Sequence, residues 1–190
     1  MPVPDGSLLT GPARDEYSQQ LFNEIAPGYD RLNRVISLGG DQRWRRELVA
    51  WAGLKPGDAA VDLGTGTGDL FLLLGEAVGD KGRVVGIDVA ENMLALAREK
   101  AAVVHPTRTH ELRCGTADRT GLEDASVDAV TMGWSLRNVG DRSAVYAEVL
   151  RILKPGGRLL VVESSRPENL LLRAGSTLYM RLAMPLLVRL

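Results

Sequence analysis

A glycine-rich turn with two nearby carboxylates carries the strongest chemical signal in this sequence. Asp62 precedes three glycines at alternate positions, Gly64, Gly66 and Gly68. Glycines at such a turn let a ligand approach the backbone closely, and amides at the start of the following helix can face it. Asp88 ends the next apolar run, where a carboxylate can accept hydrogen bonds from both hydroxyls of a ribose. Together these residues predict a nucleoside site.

The spacing of the glycines separates two kinds of cofactor. Dinucleotide sites place glycine at the first, third and sixth positions, whereas here Gly68 is at the fifth position and Asp69 occupies the sixth. A carboxylate there would oppose a pyrophosphate by about 1–4 kcal/mol, and Asp62 adds a second acid. S-adenosylmethionine carries a sulfonium and an ammonium but no phosphate, so the sequence favours it over NAD. A glycine turn without a ligand is the structural alternative.

Residues beyond the glycine turn extend the predicted cofactor site. Met93 lies one turn into the next predicted helix, where it can cover an adenine face or simply fill the core. Thr116 and Ala117 follow the third predicted strand and can meet the adenine edge through a hydroxyl and an amide, or form only a polar turn. Asp88 has an alternative role as the N-cap of the helix that follows it.

The scaffold that must position these residues is visible in the apolar pattern. Strands alternate with amphipathic helices, which predicts an α/β fold with a parallel sheet and helices on both faces. Ligands on such sheets bind beyond the carboxyl ends of the strands. The predicted strands are 59–63, 83–88, 109–114, 127–132 and 158–163; the helices between them are 68–78, 90–101 and 141–153. Two earlier helices run up to Pro27-Gly28 and from Trp44 to before Lys55.

Composition bounds the class of protein. The chain has 190 residues, 45% of them apolar, and a net charge of −1, so we expect one main domain and no attraction to nucleic acid. Cys114 is the only cysteine and the start of the chain has no signal-peptide pattern, which together favour the cytoplasm. Two histidines are too few for an all-protein zinc site, so we expect no metal. We expect an N-terminal helical lid (1–55), a cofactor-binding domain (56–166) and an apolar C-terminal helix (167–190).

Several motifs resemble a known enzyme family. The glycine turn, Gly86-Ile87-Asp88-Val89 and Lys154-Pro155-Gly156-Gly157 resemble class I S-adenosylmethionine-dependent methyltransferases. The segments 29–37, 136–139 and 151–165, together with Trp44, resemble the narrower group of menaquinone and ubiquinone biosynthesis C-methyltransferases. The resemblance implies a Rossmann-like sheet of order 3-2-1-4-5 and methyl transfer to a ring carbon of a polyprenylated quinol, most simply demethylmenaquinol.

The resemblance also implies roles for individual residues. Its cofactor contacts carry over to Thr67, Asp88, Thr116 and Ala117, and Val89, beside Asp88 in the second motif, is a further predicted cofactor residue. Gly133 stands where some members have a serine that contacts the cofactor, and Thr116 replaces a usual Asp or Asn. Asp41 stands where the family pattern has a histidine, a plausible acid or base.

Six residues are candidates for contact with the acceptor: Tyr29, Asp30, Asn33, Asp41, Arg137 and Asn138. Arg137 can stabilise a phenolate oxygen, or form a surface ion pair. Asp41 can act as the base if burial raises its pKa, or cap a helix over 41–52. Asn138 and Tyr29 are further candidates, and Tyr29 has an alternative role in holding the N-terminal lid.

The last 24 residues are strongly apolar, but arginines interrupt them every eight residues, at Arg173, Arg181 and Arg189. No run approaches the ~20 apolar residues of a membrane span. This segment is expected either to lie on a membrane surface, to roof a channel for the prenyl tail, or to pack on the sheet. No sequence remains for the C-terminal β6–β7 hairpin of the class, so we expect a truncated or short member. Its exposed edge strand would invite a homodimer.

Three functional hypotheses follow from these patterns. The first is a quinol C-methyltransferase, the second a methyltransferase for another small acceptor, because superfamily motifs do not fix the substrate. The third is a cofactor-binding subunit that needs a partner chain for catalysis. A NAD-dependent oxidoreductase is the least favoured.

Overall fold

The fold is described from a computed structural model. It describes residues 9–105 and 111–165 and, near the C-terminus, 168–169, 175, 177–179 and 181.

Three helices precede the sheet. They are α1 (Gly11–Ile25), α2 (Tyr29–Ser37) and α3 (Gly40–Ala52), and a single 3₁₀ turn at Ala26–Gly28 joins the first two. The sequence predicted α1 and α3 but not α2. The α2 segment is only nine residues long and is flanked by glycines at 28 and 39, which is a pattern that also fits a loop.

Five parallel strands form one sheet in the order β3-β2-β1-β4-β5, which confirms the predicted order. Their bounds are β1 (Ala59–Leu63), β2 (Arg83–Asp88), β3 (Glu111–Cys114), β4 (Val127–Gly133) and β5 (Leu153–Val162). β5 begins directly after a helix, five residues before its predicted start, and its pairing with β4 shifts register between Val127 and Ala129. Among the described residues no strand follows β5.

Helices cover both faces of the sheet, as predicted. They are α4 (Asp69–Val78), α5 (Glu91–Val104) and α6 (Arg142–Ile152). Alternate strand residues point to opposite faces, so Ala60 packs with Leu74 of α4 while Val61 packs with Val149 of α6. No helix in the described part of the chain is long and apolar enough to cross a membrane.

Candidate active site

The main cavity lies where β1, β2 and β4 end. It is bounded by the loops after these strands and covered by residues of α1 and α2. Its walls are Ser18, Phe22, Tyr29, Gly64, Gly66, Ile87, Asp88, Val89, Met93, Gly115, Ala117, Met132, Gly133, Trp134, Ser135, Asn138 and Val139. In the sheet, β2 lies on one side of β1 and β4 on the other. The order of the strands reverses between β1 and β4, and ligands bind at such a point on open α/β sheets.

The three glycines of the turn each have a steric reason. Gly64, Gly66 and Gly68 have φ angles of +70°, +55° and +87°, which side chains rarely adopt. A Cβ on Gly64 would lie 2.3 Å from the Cβ of Ser135, and one on Gly68 would lie 2.9 Å from the Cβ of Ala97. Gly64 therefore lets the loop after β1 pack against Ser135, Gly66 supplies a positive φ at the cavity wall, and Gly68 precedes α4 and lets α5 pack closely.

Asp88 lies at the cavity wall, as the sequence predicted. Its two carboxylate oxygens accept hydrogen bonds from the amides of Gly66 and Ala90, at 2.8 and 2.9 Å. It is not the N-cap of α5, because that position belongs to Ala90. Burial raises the pKa of Asp88, and the backbone donors at Ala90, Gly66 and Val89 oppose that rise. A carboxylate has about four acceptor sites, so it retains acceptors for a diol.

Asp62 lies beneath the glycine turn and not at the cavity wall. It is 1% exposed, and its carboxylate accepts hydrogen bonds from the hydroxyls of Thr65 and Thr131, both at 2.7 Å. Burial, and to a lesser degree the charge of Asp88, raise the pKa of Asp62 to about 6 despite these donors and Arg45. Asp62 therefore stabilises the glycine turn through its hydrogen bonds. Its direct contact with the cofactor stays a prediction.

Asp69 and Thr67 are also turned away from the cavity, in a charged network behind the turn. Lys100 contacts Asp69 at 2.7 Å and Asp30 at 2.5 Å, and Thr67 donates a hydrogen bond to Asp30 at 2.5 Å. Burial alone would raise the pKa of Asp69, but Lys100, with help from Arg45 and Gln42, lowers it. The prediction that Asp69 would repel a pyrophosphate was therefore wrong. The charge of its carboxylate is neutralised by Lys100 and does not face the cavity.

The charge of the cavity itself supports the same choice of cofactor. None of the described residues that line it is a lysine or an arginine, and one, Asp88, is a carboxylate. A sulfonium or an ammonium group would meet the negative field of Asp88 there, whereas a pyrophosphate would have only backbone amides to hold it. The remaining walls are mostly apolar and suit an adenine ring. The residues present thus fit S-adenosylmethionine.

Most of the other predicted cofactor residues lie at the wall. Val89, Met93, Ala117 and Gly133 line the cavity. Thr116 does not, and its carbonyl accepts a hydrogen bond from the amide of Arg119 at 3.3 Å, as expected for the alternative of a polar turn.

A second cavity adjoins the first between α2, α3 and the loop after β4. Its volume is about 220 Å³, and it is lined by Tyr29, Asn33, Ile36, Ser37, Asp41, Trp44, Arg45, Trp134, Arg137 and Ser164. A cavity of about 150 Å³ already accepts a benzene ring. Tyr29 and Trp134 belong to both cavities, so they form the boundary between the two.

Asp41 lies at the base of this second cavity in a buried ion pair. Its carboxylate contacts Arg45 at 2.5 Å and accepts hydrogen bonds from Ser37 at 2.8 Å and Gln42 at 3.2 Å. The prediction that it caps a helix over 41–52 was wrong: α3 begins at Gly40, and its N-cap is Gly39 at φ +78°. The glycine pair before it allows a turn so tight that Asp41 falls inside the first helical turn.

Arg137 and Asn138 occupy a single 3₁₀ turn after β4, at 136–138. Arg137 borders the second cavity, and its guanidinium is 3.3 Å from Glu163. The predicted ion pair is therefore present, and the role at a phenolate oxygen stays a prediction. Asn138 borders the first cavity, and its side-chain amide donates a hydrogen bond to the carbonyl of Trp134 at 3.2 Å.

Sequence reasoning missed Trp134 and Arg45. Trp134 adopts a left-handed backbone at φ +55°, and the guanidinium of Arg45 lies 4.8 Å from the centre of its ring. Its indole N–H donates to Ser164 at 3.0 Å. The signal was present, because a large aromatic residue directly after a predicted strand end is well placed to border a ligand. Arg45 gave no such signal, since only its buried partner distinguishes it from the neighbouring arginines.

This sheet order, with a glycine turn after β1 and a carboxylate ending β2 at a cavity without basic residues, defines a class I S-adenosylmethionine-dependent methyltransferase. The model of the ubiE/COQ5 methyltransferase family matches residues 11–190, and the chain belongs to that family.

Individual relatives agree with this assignment. The chain is 38% identical over 174 residues to demethylmenaquinone methyltransferases of Symbiobacterium thermophilum and Bacillus cereus, covering 92% of this chain and 69% and 73% of theirs. It resembles the crystal structure of an S-adenosylmethionine-dependent methyltransferase from Aquifex aeolicus with a TM-score of 0.60 and 28% identity, over 66% of each chain. The chain thus spans about two thirds of the length of these proteins.

Proposed function

We propose that this methyltransferase transfers a methyl group to a ring carbon of a polyprenylated quinol, with demethylmenaquinol as the expected acceptor. The observation that carries the proposal is the pair of adjoining cavities that share Tyr29 and Trp134. A ring in the second cavity would face a group in the first across these two side chains. The names of the two 38% identical relatives support the choice of acceptor.

The first cavity holds the cofactor in this proposal. Asp88 accepts hydrogen bonds from the ribose hydroxyls, and Gly66 lets the ligand approach the backbone. Gly64 and Gly133 border the cavity, where a side chain would clash with Ser135 and Leu70. Val89, Met93 and Ala117 contact the adenine. Asp62, Thr67, Gly68 and Thr116 complete the predicted set; the contacts of the first three place them behind the turn, where they hold its shape. When bound, S-adenosylmethionine supplies an electrophilic methyl group.

The second cavity prepares the acceptor. A ring carbon becomes nucleophilic when a neighbouring hydroxyl loses its proton, and a guanidinium stabilises the resulting oxyanion. Arg137 and Arg45 both border this cavity. Arg45 is fixed by Asp41 and by the Trp134 ring, whereas Arg137 is half exposed and able to reach the ring. Asp41 remains the candidate base, and Tyr29 and Asn138 position the ring beside the cofactor.

Positioning supplies most of the expected acceleration. Holding two reacting groups in line corresponds to effective molarities of about 10⁵–10⁸ M, or about 7–11 kcal/mol of the barrier. A general base adds about 10²–10⁴-fold. Rigid cavity walls are therefore expected to lower the barrier more than any single proton acceptor does. Trp134 is such a wall, because Arg45 and Ser164 hold its ring.

A labelling experiment tests the proposal. The purified chain is incubated with methyl-labelled S-adenosylmethionine and reduced demethylmenaquinone, and a demethylated benzoquinol is run beside it. Label in the quinone is the expected result. The variant Arg137→Ala should bind the cofactor normally but transfer the label more slowly, and Arg119→Ala, at an exposed arginine outside both cavities, should behave as wild type. Cofactor binding without transfer to either quinol would overturn the proposal.

A further inference from the structure

The turn between α2 and α3 exposes apolar side chains at the mouth of the second cavity. We call residues 31–47 the α2–α3 corner. Leu38, at its tip, is 76% exposed, and Ile36 and Trp44 beside it are 40% and 44% exposed. Trp44 lies close to the tip, because a Cβ on Gly40 would be 3.3 Å from its ring. Ile36 and Trp44 also line the second cavity, so the apolar surface continues into it.

Leu38 stands out because neither its backbone nor its surroundings favour a leucine. Its φ is +52°, in the left-handed region that is costly for most side chains and is better tolerated by glycine or asparagine. Water surrounds most of its side chain. An apolar side chain exposed in a strained turn thus gains nothing from the isolated fold, which points to a surface that buries it.

Positive charge surrounds this apolar tip. Arg31, Arg34 and Arg46 are exposed, and the described residues provide no ion-pair partner for them. Arg43 is the fourth exposed arginine and pairs with Glu47 at 2.8 Å. The chain as a whole has a net charge of −1, so this local excess is not a general property of its surface.

An apolar tip with a tryptophan and a basic surround has the chemistry of an anionic bilayer surface. Leucine and tryptophan enter the boundary between headgroups and acyl chains, while arginines are attracted to the negative surface potential. The hydroxyl of Tyr179 donates a hydrogen bond to the carbonyl of Val35 at 2.7 Å, and the adjacent Leu178 is 60% exposed. The apolar region of the corner is therefore extended by a second segment.

We propose that the α2–α3 corner docks on anionic lipid and receives the acceptor directly from the bilayer into the second cavity. The docking follows from Leu38, Trp44 and the unpaired arginines. The delivery rests on the proposed function, because only a lipid-soluble acceptor needs this route.

Vesicle co-sedimentation of the full chain tests the docking without any substrate. We expect binding to phosphatidylcholine vesicles that contain phosphatidylglycerol, weaker binding without it, and a loss of binding as salt rises. The double variant Arg31→Gln/Arg34→Gln should weaken binding about 25-fold, at about fivefold for each arginine. Its matched control is Arg119→Gln/Arg142→Gln, two exposed arginines elsewhere, which should bind as wild type. Equal binding by both double variants would overturn the docking.

Leu38→Asn separates docking from a structural role. Asparagine tolerates a positive φ, so the melting temperature should stay the same or rise, while vesicle binding falls about tenfold. Leu150→Gln, at a leucine of α6 that is also 76% exposed, should leave binding unchanged. A dimer of the wild type that dissociates in Leu38→Asn, with no vesicle binding, would identify a second copy as the occupant and overturn the proposal.

Methyl transfer to an acceptor dispersed in detergent keeps the two proposals apart. Transfer in detergent without binding to anionic vesicles would refute the docking and leave the proposed function standing. Vesicle binding without transfer in detergent would refute the proposed function and leave the docking standing.

Discussion

At the scale of single residues, the proposed roles of Asp88 and Arg137 can be tested separately, because the two residues border different cavities. Asp88 borders the first cavity and Arg137 the second. Asp88→Ala should weaken cofactor binding about 10- to 100-fold, because hydrogen bonds to a charged group contribute about 1.5–3 kcal/mol and the Gly66 and Ala90 amides lose their acceptor. Arg137→Ala should leave cofactor affinity nearly unchanged and raise the KM for the acceptor. Calorimetric titration measures the affinity of each variant for the cofactor. Equal losses of cofactor affinity in the two variants would contradict the separate roles of the two residues.

Asp62 gives the fold a pH dependence of its own. Its pKa is raised to about 6 in the folded protein against about 3.9 when unfolded, so the folded state binds the extra proton between these values. The contribution of Asp62 to the free energy of unfolding therefore falls as pH rises through this window and is constant above it, a total of about 3 kcal/mol.

Asp62→Asn removes the titrating group while keeping an amide to meet Thr65 and Thr131. The stability of this variant relative to wild type should improve by up to about 3 kcal/mol between pH 4 and pH 7. Urea unfolding at several pH values measures the difference, in which the contributions of all other carboxylates cancel. A difference that does not change with pH would show that Asp62 titrates normally.

The place of a residue in the site was predictable where the position of its backbone at a strand end determines it. It was less predictable where the direction of the side chain determines it. Asp88 and the glycines followed from the positions of strand ends. Asp62 and Asp69 were expected to face a ligand, but Asp62 sits beneath the turn with Thr65 and Thr131, and Asp69 pairs with Lys100. Sequence spacing does not show which way a side chain near a tight turn points, nor which distant lysine reaches it.

At the scale of elements, one lysine ties α2 to the start of α4 and to the glycine turn. Lys100 of α5 contacts Asp30 of α2, Asp69 of α4 and the hydroxyl of Thr67. Lys100→Met should leave Asp30 without its counter-ion and Asp69 with only Arg45, at 4.0 Å, which we expect to cost about 1–3 kcal/mol. Hydrogen exchange should rise most in α2, because Asp30 is its anchor in this network.

The exposed residue Lys81 offers a matched control for this change. Lys81→Met removes the same charge but lies in the turn before β2, so hydrogen exchange in α2 should stay at the wild-type level. Equal effects of the two variants on α2 would mean that net charge, and not the Lys100 contacts, holds the helix.

The helices differ in how well their bounds could be predicted from the sequence. α4 and α6 present continuous apolar stripes to the sheet, so their bounds were predicted within one residue. None of the residues of α2 is fully buried. The helix depends on tertiary contacts, which are the Asp30–Lys100 ion pair and its packing against α3. At nine residues α2 is shorter than helices that are stable alone in water, so its length argued against a helix although its apolar residues are spaced for one.

At the scale of the whole molecule, strand–helix alternation gave the parallel sheet, while the order of the strands came from the family resemblance. Alternation alone leaves several orders open, since right-handed crossovers can run to either side of β1. The predicted boundaries at 55 and 166 and the C-terminal helix over 167–190 stay predictions, because most of that last segment lies outside the described residues.

The first cavity joins the N-terminal helices to the sheet, so its ligand should stabilise both together. Ser18 and Phe22 of α1 and Tyr29 of α2 face Gly66 and Asp88 across it. Saturating cofactor at 100 times its Kd adds about 2.7 kcal/mol to the free energy of unfolding, and this gain should appear as slower hydrogen exchange in α1 and α2 as well as in the glycine turn. NAD at the same concentration should have no effect, because the cavity offers its pyrophosphate no basic residue. Protection confined to the turn would mean that the helices do not close over the cofactor, and protection by NAD would contradict the electrostatic argument for S-adenosylmethionine.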